Sequence, residues 1–103
     1  MNISLEVKTK NYVNDLLSIK KELSHMESLV SEYNGYTLSE PELKFGWTFF
    51  TLTFKPSLQN GIEEKFSDML EKYPTGDQAQ KFAKFMTDYF NSRGCDAKIN
   101  IID

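Results

Sequence analysis

Tyr12, Leu16, Ile19, Leu23, Met26, Val30 and Tyr33 are spaced alternately four and three residues apart. A strand sends successive side chains to opposite faces, so only a helix gathers this set into one stripe. Val13, Leu17 and Leu29 widen the stripe into a face. Asn11 or Thr9 offers a cap at its start, and Asn34-Gly35 a left-handed stop. At about 1.5 Å per residue, a helix over residues 11–34 is roughly 35 Å long. One apolar face on so long a helix must lie against a sheet, another helix or a second copy of the chain.

The flanking segments point to a sheet. Ile3, Leu5 and Val7 alternate with Ser4, Glu6 and Lys8, the period of a half-buried strand. Tyr36 to Ser39 reads as a short strand next to a turn at Ser39-Glu40-Pro41-Glu42, because proline fixes its own φ and cannot donate to a ladder. Leu43 to Ser57 reads as a long strand. Asn60 and Glu63 have capping-box spacing ahead of a stripe at Ile62, Phe66, Met69, Leu70 and Tyr73, stopped by Pro74. Asp77 or Thr75 caps a further helix carrying Ala79, Phe82, Ala83, Phe85, Met86, Tyr89 and Phe90, ended by Gly94. Ala97, Ile99 and Ile101 alternate as a closing strand. The order β-α-β-β-α-α-β predicts one α+β domain over residues 1–103. Its expected form is ferredoxin-like, a four-stranded antiparallel sheet with the helices on one face.

The stretch LKFGWTFFTLTFKPS, residues 43–57, poses a problem of parity. Its apolar side chains fall on odd positions through Leu43, Phe45, Trp47 and Phe49, then on even positions through Phe50, Leu52 and Phe54. A regular strand cannot put both sets on one face. Either a β-bulge near residues 48–50 sends all of them into the core, or the strand is regular. In the regular case Phe45, Trp47 and Phe49 are left on the open face of the sheet, as a patch large enough to be a binding surface.

The chain has 103 residues, 40% of them apolar and 26% charged, which excludes disorder and suits a single small core. No run of about 18 apolar residues is present and the first ten residues do not read as a signal peptide. The single cysteine, Cys95, cannot form an internal disulfide, which indicates a reducing cytoplasmic setting. Net charge is −3, with eleven lysines and one arginine, Arg93. This balance disfavours direct nucleic-acid binding, which needs a basic stripe and is served best by arginine. No nucleophile elbow, zinc-protease helix or phosphate loop occurs. His25 has no metal-ligand partner at a useful spacing, and Cys95 follows a helix end rather than a helix start. No catalytic residue, metal or cofactor is therefore expected, and the chain reads as a binding protein rather than an enzyme.

Two groups of contact residues stand out. One is the aromatic set Phe45, Trp47 and Phe49. The other is acidic: Glu40 and Glu42 in the turn, with Glu63, Glu64 and Asp68 on the second helix. The segment Lys44 to Phe50 resembles the aromatic RNA-contact motif on the third strand of RNA-recognition-motif domains, with its glycine one position out of register. That resemblance implies single-stranded RNA binding, but such domains also want an aromatic on the first strand, and residues 3–7 have none. Lysine, asparagine and isoleucine are favoured over arginine. In composition and size the chain resembles the small anti-CRISPR and other anti-defence inhibitors of phages and mobile elements. That resemblance implies inhibition of a bacterial defence nuclease, or of its complex with RNA, by protein–protein contact. The alternative carried by the helical stripe is a homodimeric scaffold assembled through helix 11–34.

Overall fold

The computed structural model describes residues 3–102. The elements run β1 (Ile3–Thr9), α1 (Tyr12–Val30), β2 (Tyr36–Leu38), β3 (Glu42–Lys44), β4 (Trp47–Phe54), α2 (Pro56–Lys65), α3 (Ser67–Glu71), α4 (Gln78–Asn91) and β5 (Lys98–Ile102). They form an α+β fold on an open antiparallel sheet ordered β2-β4-β1-β5, with β3 also paired to β4.

The sheet has five strands where the sequence suggested four. Residues 43–57 are not one strand, because Phe45 and Gly46 both take positive φ, 54° and 80°, and reverse the chain between Lys44 and Trp47. Two central residues with φ > 0 are the geometry of a tight hairpin, whose twist matches that of the strands it joins. The Ser39–Glu42 segment is correspondingly not a reversal. β2 and β3 run in the same direction along one edge of β4, and Ser39 bridges the gap. Its N–H donates to the Thr51 carbonyl at 2.9 Å, and its Oγ accepts the Thr51 N–H at 2.7 Å. Between Leu38, opposite Leu52, and Glu42, opposite Phe49, the edge gains one residue. The bulge therefore falls on the edge, at Glu40-Pro41, where the missing proline N–H costs no ladder bond.

β4 itself is regular, paired residue by residue with β1 from Thr48 opposite Thr9 to Phe54 opposite Ile3. Leu5 faces Leu52 and Val7 faces Phe50, all of them buried. This face carries the helices. Ile19, Leu23 and Met26 of α1, Leu58 and Ile62 of α2, and Phe82, Met86 and Phe90 of α4 close the same core. Phe54 meets Phe82 edge-on, centroids 5.0 Å apart at 89°, tying sheet to helix through the favoured aromatic geometry.

The helices start and stop for identifiable reasons. α1 follows Asn11 as expected, but the Asn11 side chain makes no capping bond; Thr9 Oγ1 instead accepts the Asn11 N–H at 2.9 Å. It ends at Val30, four residues short of Asn34, because Ser31 already adopts the left-handed conformation. The second helical region begins at Pro56, not at Asn60. Proline at the first helical position has its φ preset and lacks only an N–H that would be unpaired there. It breaks at Phe66, φ −111° and ψ 27°, into α2 and α3. Of the two caps the sequence offered for α4, Asp77 is the one used, in a capping box with Gln80: Asp77 Oδ1 accepts the Gln80 N–H and Gln80 Oε1 accepts the Asp77 N–H, both 2.9 Å.

Candidate functional site: the open face of the sheet

Antiparallel partners share a face, so the register that buries the odd residues of β1 turns its even ones away from the helices. Lys8 lies opposite Phe49, Glu6 opposite Thr51 and Ser4 opposite Thr53. β5 extends the row with Lys98 beside Lys8 and Asn100 beside Glu6, and β3 adds Lys44 opposite Trp47 and Glu42 opposite Phe49. Among the described residues no helix covers this side. Ser4 Oγ and Thr53 Oγ1 share a hydrogen bond of 2.9 Å across it.

Of the aromatic set, Trp47 and Phe49 are half-buried on this open face, and Phe45 is 97% exposed at the hairpin tip beside it. The regular-strand alternative thus holds for β4, with no bulge at residues 48–50, but not for Phe45, which lies in the turn rather than on the open face. Phe50, Leu52 and Phe54 are buried under the helices instead.

Around Trp47 the lysines converge. The Nζ atoms of Lys10, Lys8 and Lys98 lie 4.7, 4.9 and 5.5 Å from the indole ring centroid. Each is within the range where a ring quadrupole attracts a cation. Lys98 reaches Trp47 from β5, with β1 between the two strands. Among the described residues no carboxylate is within ion-pair distance of any of these three, whereas Lys44 pairs with Glu42 at 3.1 Å. The other end of the face is acidic. An open groove of about 480 Å³ at the β3 edge is lined by Glu6, Glu40 and Glu42, with Ser39, Phe49 and Lys44, the last paired with Glu42. The face is therefore bipolar, cationic around Trp47 and anionic toward the bulged edge. Spacing along the sequence did not announce the lysine cluster, because its members come from the ends of two strands separated by about ninety residues.

The acidic set is not brought together. Glu40 and Glu42 border the open face, while Glu63, Glu64 and Asp68 belong to α2 and α3 in the helical layer. Glu63 is engaged there, accepting from Gln59 Nε2 at 3.3 Å and from Gln78 Nε2 at 2.7 Å. Glu64 and Asp68 are exposed.

Elsewhere the polar groups are structural. The buried Asp15 carboxylate accepts from the Thr9 hydroxyl, from Asn14 Nδ2 at 3.2 Å and from the Asp96 N–H at 3.1 Å. Glu27, also buried, accepts the Gly35 N–H at 3.0 Å. Arg93 lies 3.6 Å over the Tyr89 ring and 3.6 Å from Glu22, clamping α4 to α1. Burial pushes the Cys95 thiol above its ordinary value, and His25 is exposed on α1. A groove of about 530 Å³ between α4 and β5 has Lys84 and Asp88 as its ionisable lining, and Asp88 is engaged by the Tyr73 hydroxyl at 2.6 Å. Among the described residues no cluster of His, Cys, Asp or Glu is placed to hold a metal, and no helix is long and apolar enough to cross a membrane. Compared with known proteins, the chain matches no family model, no curated protein and no solved structure.

Proposed function

We propose that this protein is a non-catalytic binding protein whose open sheet face is its contact surface. The observation that carries the reading is the regular register of β4, which leaves Trp47 and Phe49 on the helix-free side while Phe45 projects from the adjoining tip. Aromatic side chains flanked by charged ones are the composition of an interface core with its rim. We read the fold as ferredoxin-like, β2 and β3 counting as one edge strand interrupted at Pro41; the order β2-β4-β1-β5 supports this. The setting we propose is that of a phage or mobile-element inhibitor acting in the cytoplasm on a bacterial defence nuclease complex. Composition, size and a single buried free thiol support that setting.

The test is inhibition. The purified protein is added to a panel of bacterial RNA-guided nucleases, and target cleavage is measured beside a Trp47→Ala/Phe49→Ala variant. Inhibition by the native protein that the variant loses supports the reading. If no nuclease in the panel is slowed, the inhibitor role falls. If one is slowed equally by the variant, the sheet face is the wrong surface.

A second reading, a homodimer through α1, is favoured by Val13 and Leu17, 69% and 64% exposed one turn apart. The stripe expected to pair between copies, however, faces its own sheet, with Met26 fully buried. Light scattering at tens of micromolar separates the two; a monomer removes the dimer.

A further inference from the structure

We infer that the Trp47 end of the open face is a receptor for carboxylates, so that the surface it docks on is an acidic protein surface rather than a nucleic acid. The inference rests on the open face being the contact surface.

Three ammonium groups, each within 5.5 Å of one ring centroid, repel one another. The indole offsets part of that repulsion, and no carboxylate among the described residues supplies the rest. The cluster is thus short of negative charge on a chain that is net negative. An anionic partner group relieves this, and charge complementarity steers its approach.

Three features favour carboxylates on a protein over a nucleic-acid strand. First, the cations gather on the indole, so a base could stack on Trp47 only by displacing them. Second, the cluster holds no arginine, the side chain shaped to fork onto phosphate; Arg93 is engaged by Glu22 and Tyr89 in the helical layer. Third, the face changes sign within a few residues. A phosphate chain following β4 away from Trp47 would run into Glu42 and Glu6, whereas a protein surface can carry acidic groups opposite the lysines and basic ones opposite the glutamates. Phe45 at the tip also asks for an apolar pocket, which a protein supplies.

Trp47 is the only tryptophan, so its emission reports this site alone. The probe is an oligo-glutamate peptide titrated at low and high salt, beside oligo-dT of equal charge. The expected result is a saturable change in Trp47 emission with oligo-glutamate, suppressed by salt and stronger than with oligo-dT. Lys10→Gln/Lys98→Gln should weaken it roughly tenfold, from the loss of two exposed charge contacts. Lys20→Gln/Lys21→Gln on α1, with the same change in net charge, should leave it unaltered. Thermal melts verify that both variants fold. The inference is overturned by no saturable response to oligo-glutamate, by oligo-dT binding as tightly or more tightly, or by equal loss in the two variants. Nuclease inhibition that depends on Trp47 but coexists with any of these would leave the contact surface standing and remove only its carboxylate chemistry.

Discussion

Phe45 is a bulky side chain held at φ 54° and almost wholly in water, at a turn position where asparagine is the residue of local choice. Left-handed backbone costs an ordinary L-residue about 1–2 kcal/mol, and no burial offsets it here. Such an outlier is in keeping with the contact role proposed for this residue. Phe45→Asn should therefore raise stability by about 1 kcal/mol, read as a higher melting temperature, while weakening whatever inhibition the native protein shows. A variant both less stable and fully active would contradict this account. Asp15 is the opposite case, a buried carboxyl group with both oxygens engaged. Its carboxylate joins the end of β1, the first turn of α1 and the approach to β5 through Thr9, Asn14 and Asp96. Asp15→Ala strands the buried Thr9 hydroxyl and takes away the partner of the Asp96 N–H, and should cost about 3 kcal/mol in chemical denaturation.

At the level of elements, α3 and α4 are held by Tyr73 and Asp88 as well as by the packing of Phe66 on Phe85 and Tyr89. Burial pushes the Tyr73 hydroxyl up to about 12, helped by its hydrogen bond to Asp88 and by the charge of that carboxylate. The folded chain then keeps this proton where the unfolded chain, near 10, has released it. The contribution is complete below pH 10 and is lost as pH rises toward 12. Stability measured across that interval should fall less steeply in Tyr73→Phe than in the native protein. An unchanged slope would show that the pair does not bias folding. β4 and its hairpin obey a different economy: the strand stays regular, and the cost of irregularity moves to the edge, where Pro41 and the extra residue break few bonds.

The whole molecule is held by one interface, helices on one side of a sheet. Phe54 and Phe82 are fully buried at its centre. Phe82→Ala should cost about 3–5 kcal/mol, a large share of the roughly 5–15 kcal/mol available to a domain of this size. Loss of cooperative unfolding in that variant would fit; a loss under about 1 kcal/mol would show the core collapsing around the gap. The same two-layer arrangement sorts charge. Lys8, Lys10 and Lys98 come together on the uncovered side, although the net charge of −3 disguises them. Chain-wide charge averages over faces, and a partner meets one face at a time.

Periodicity alone determined that helices occupy the regions of Tyr12–Val30 and Gln78–Asn91 and that Ile3–Thr9 is a strand, while leaving Asp77 and Thr75 both open as the cap of the last helix. Those are local contests, decided by hydrophobic spacing and by hydrogen bonds between residues a few positions apart. Pro56 as a helix start is an equally local signal, although the capping-box spacing at Asn60 and Glu63 placed the expected start further on. What only the tertiary structure decided is which face of β4 the helices cover, and therefore that Phe50, Leu52 and Phe54 are core while Trp47 and Phe49 are left uncovered beside Lys8, Lys10 and Lys98. Parity offered two faces of comparable apolarity. The choice between them is made by long-range pairing of β4 with β1, whose buried residues share its core face, and no neighbour in the sequence carries that information.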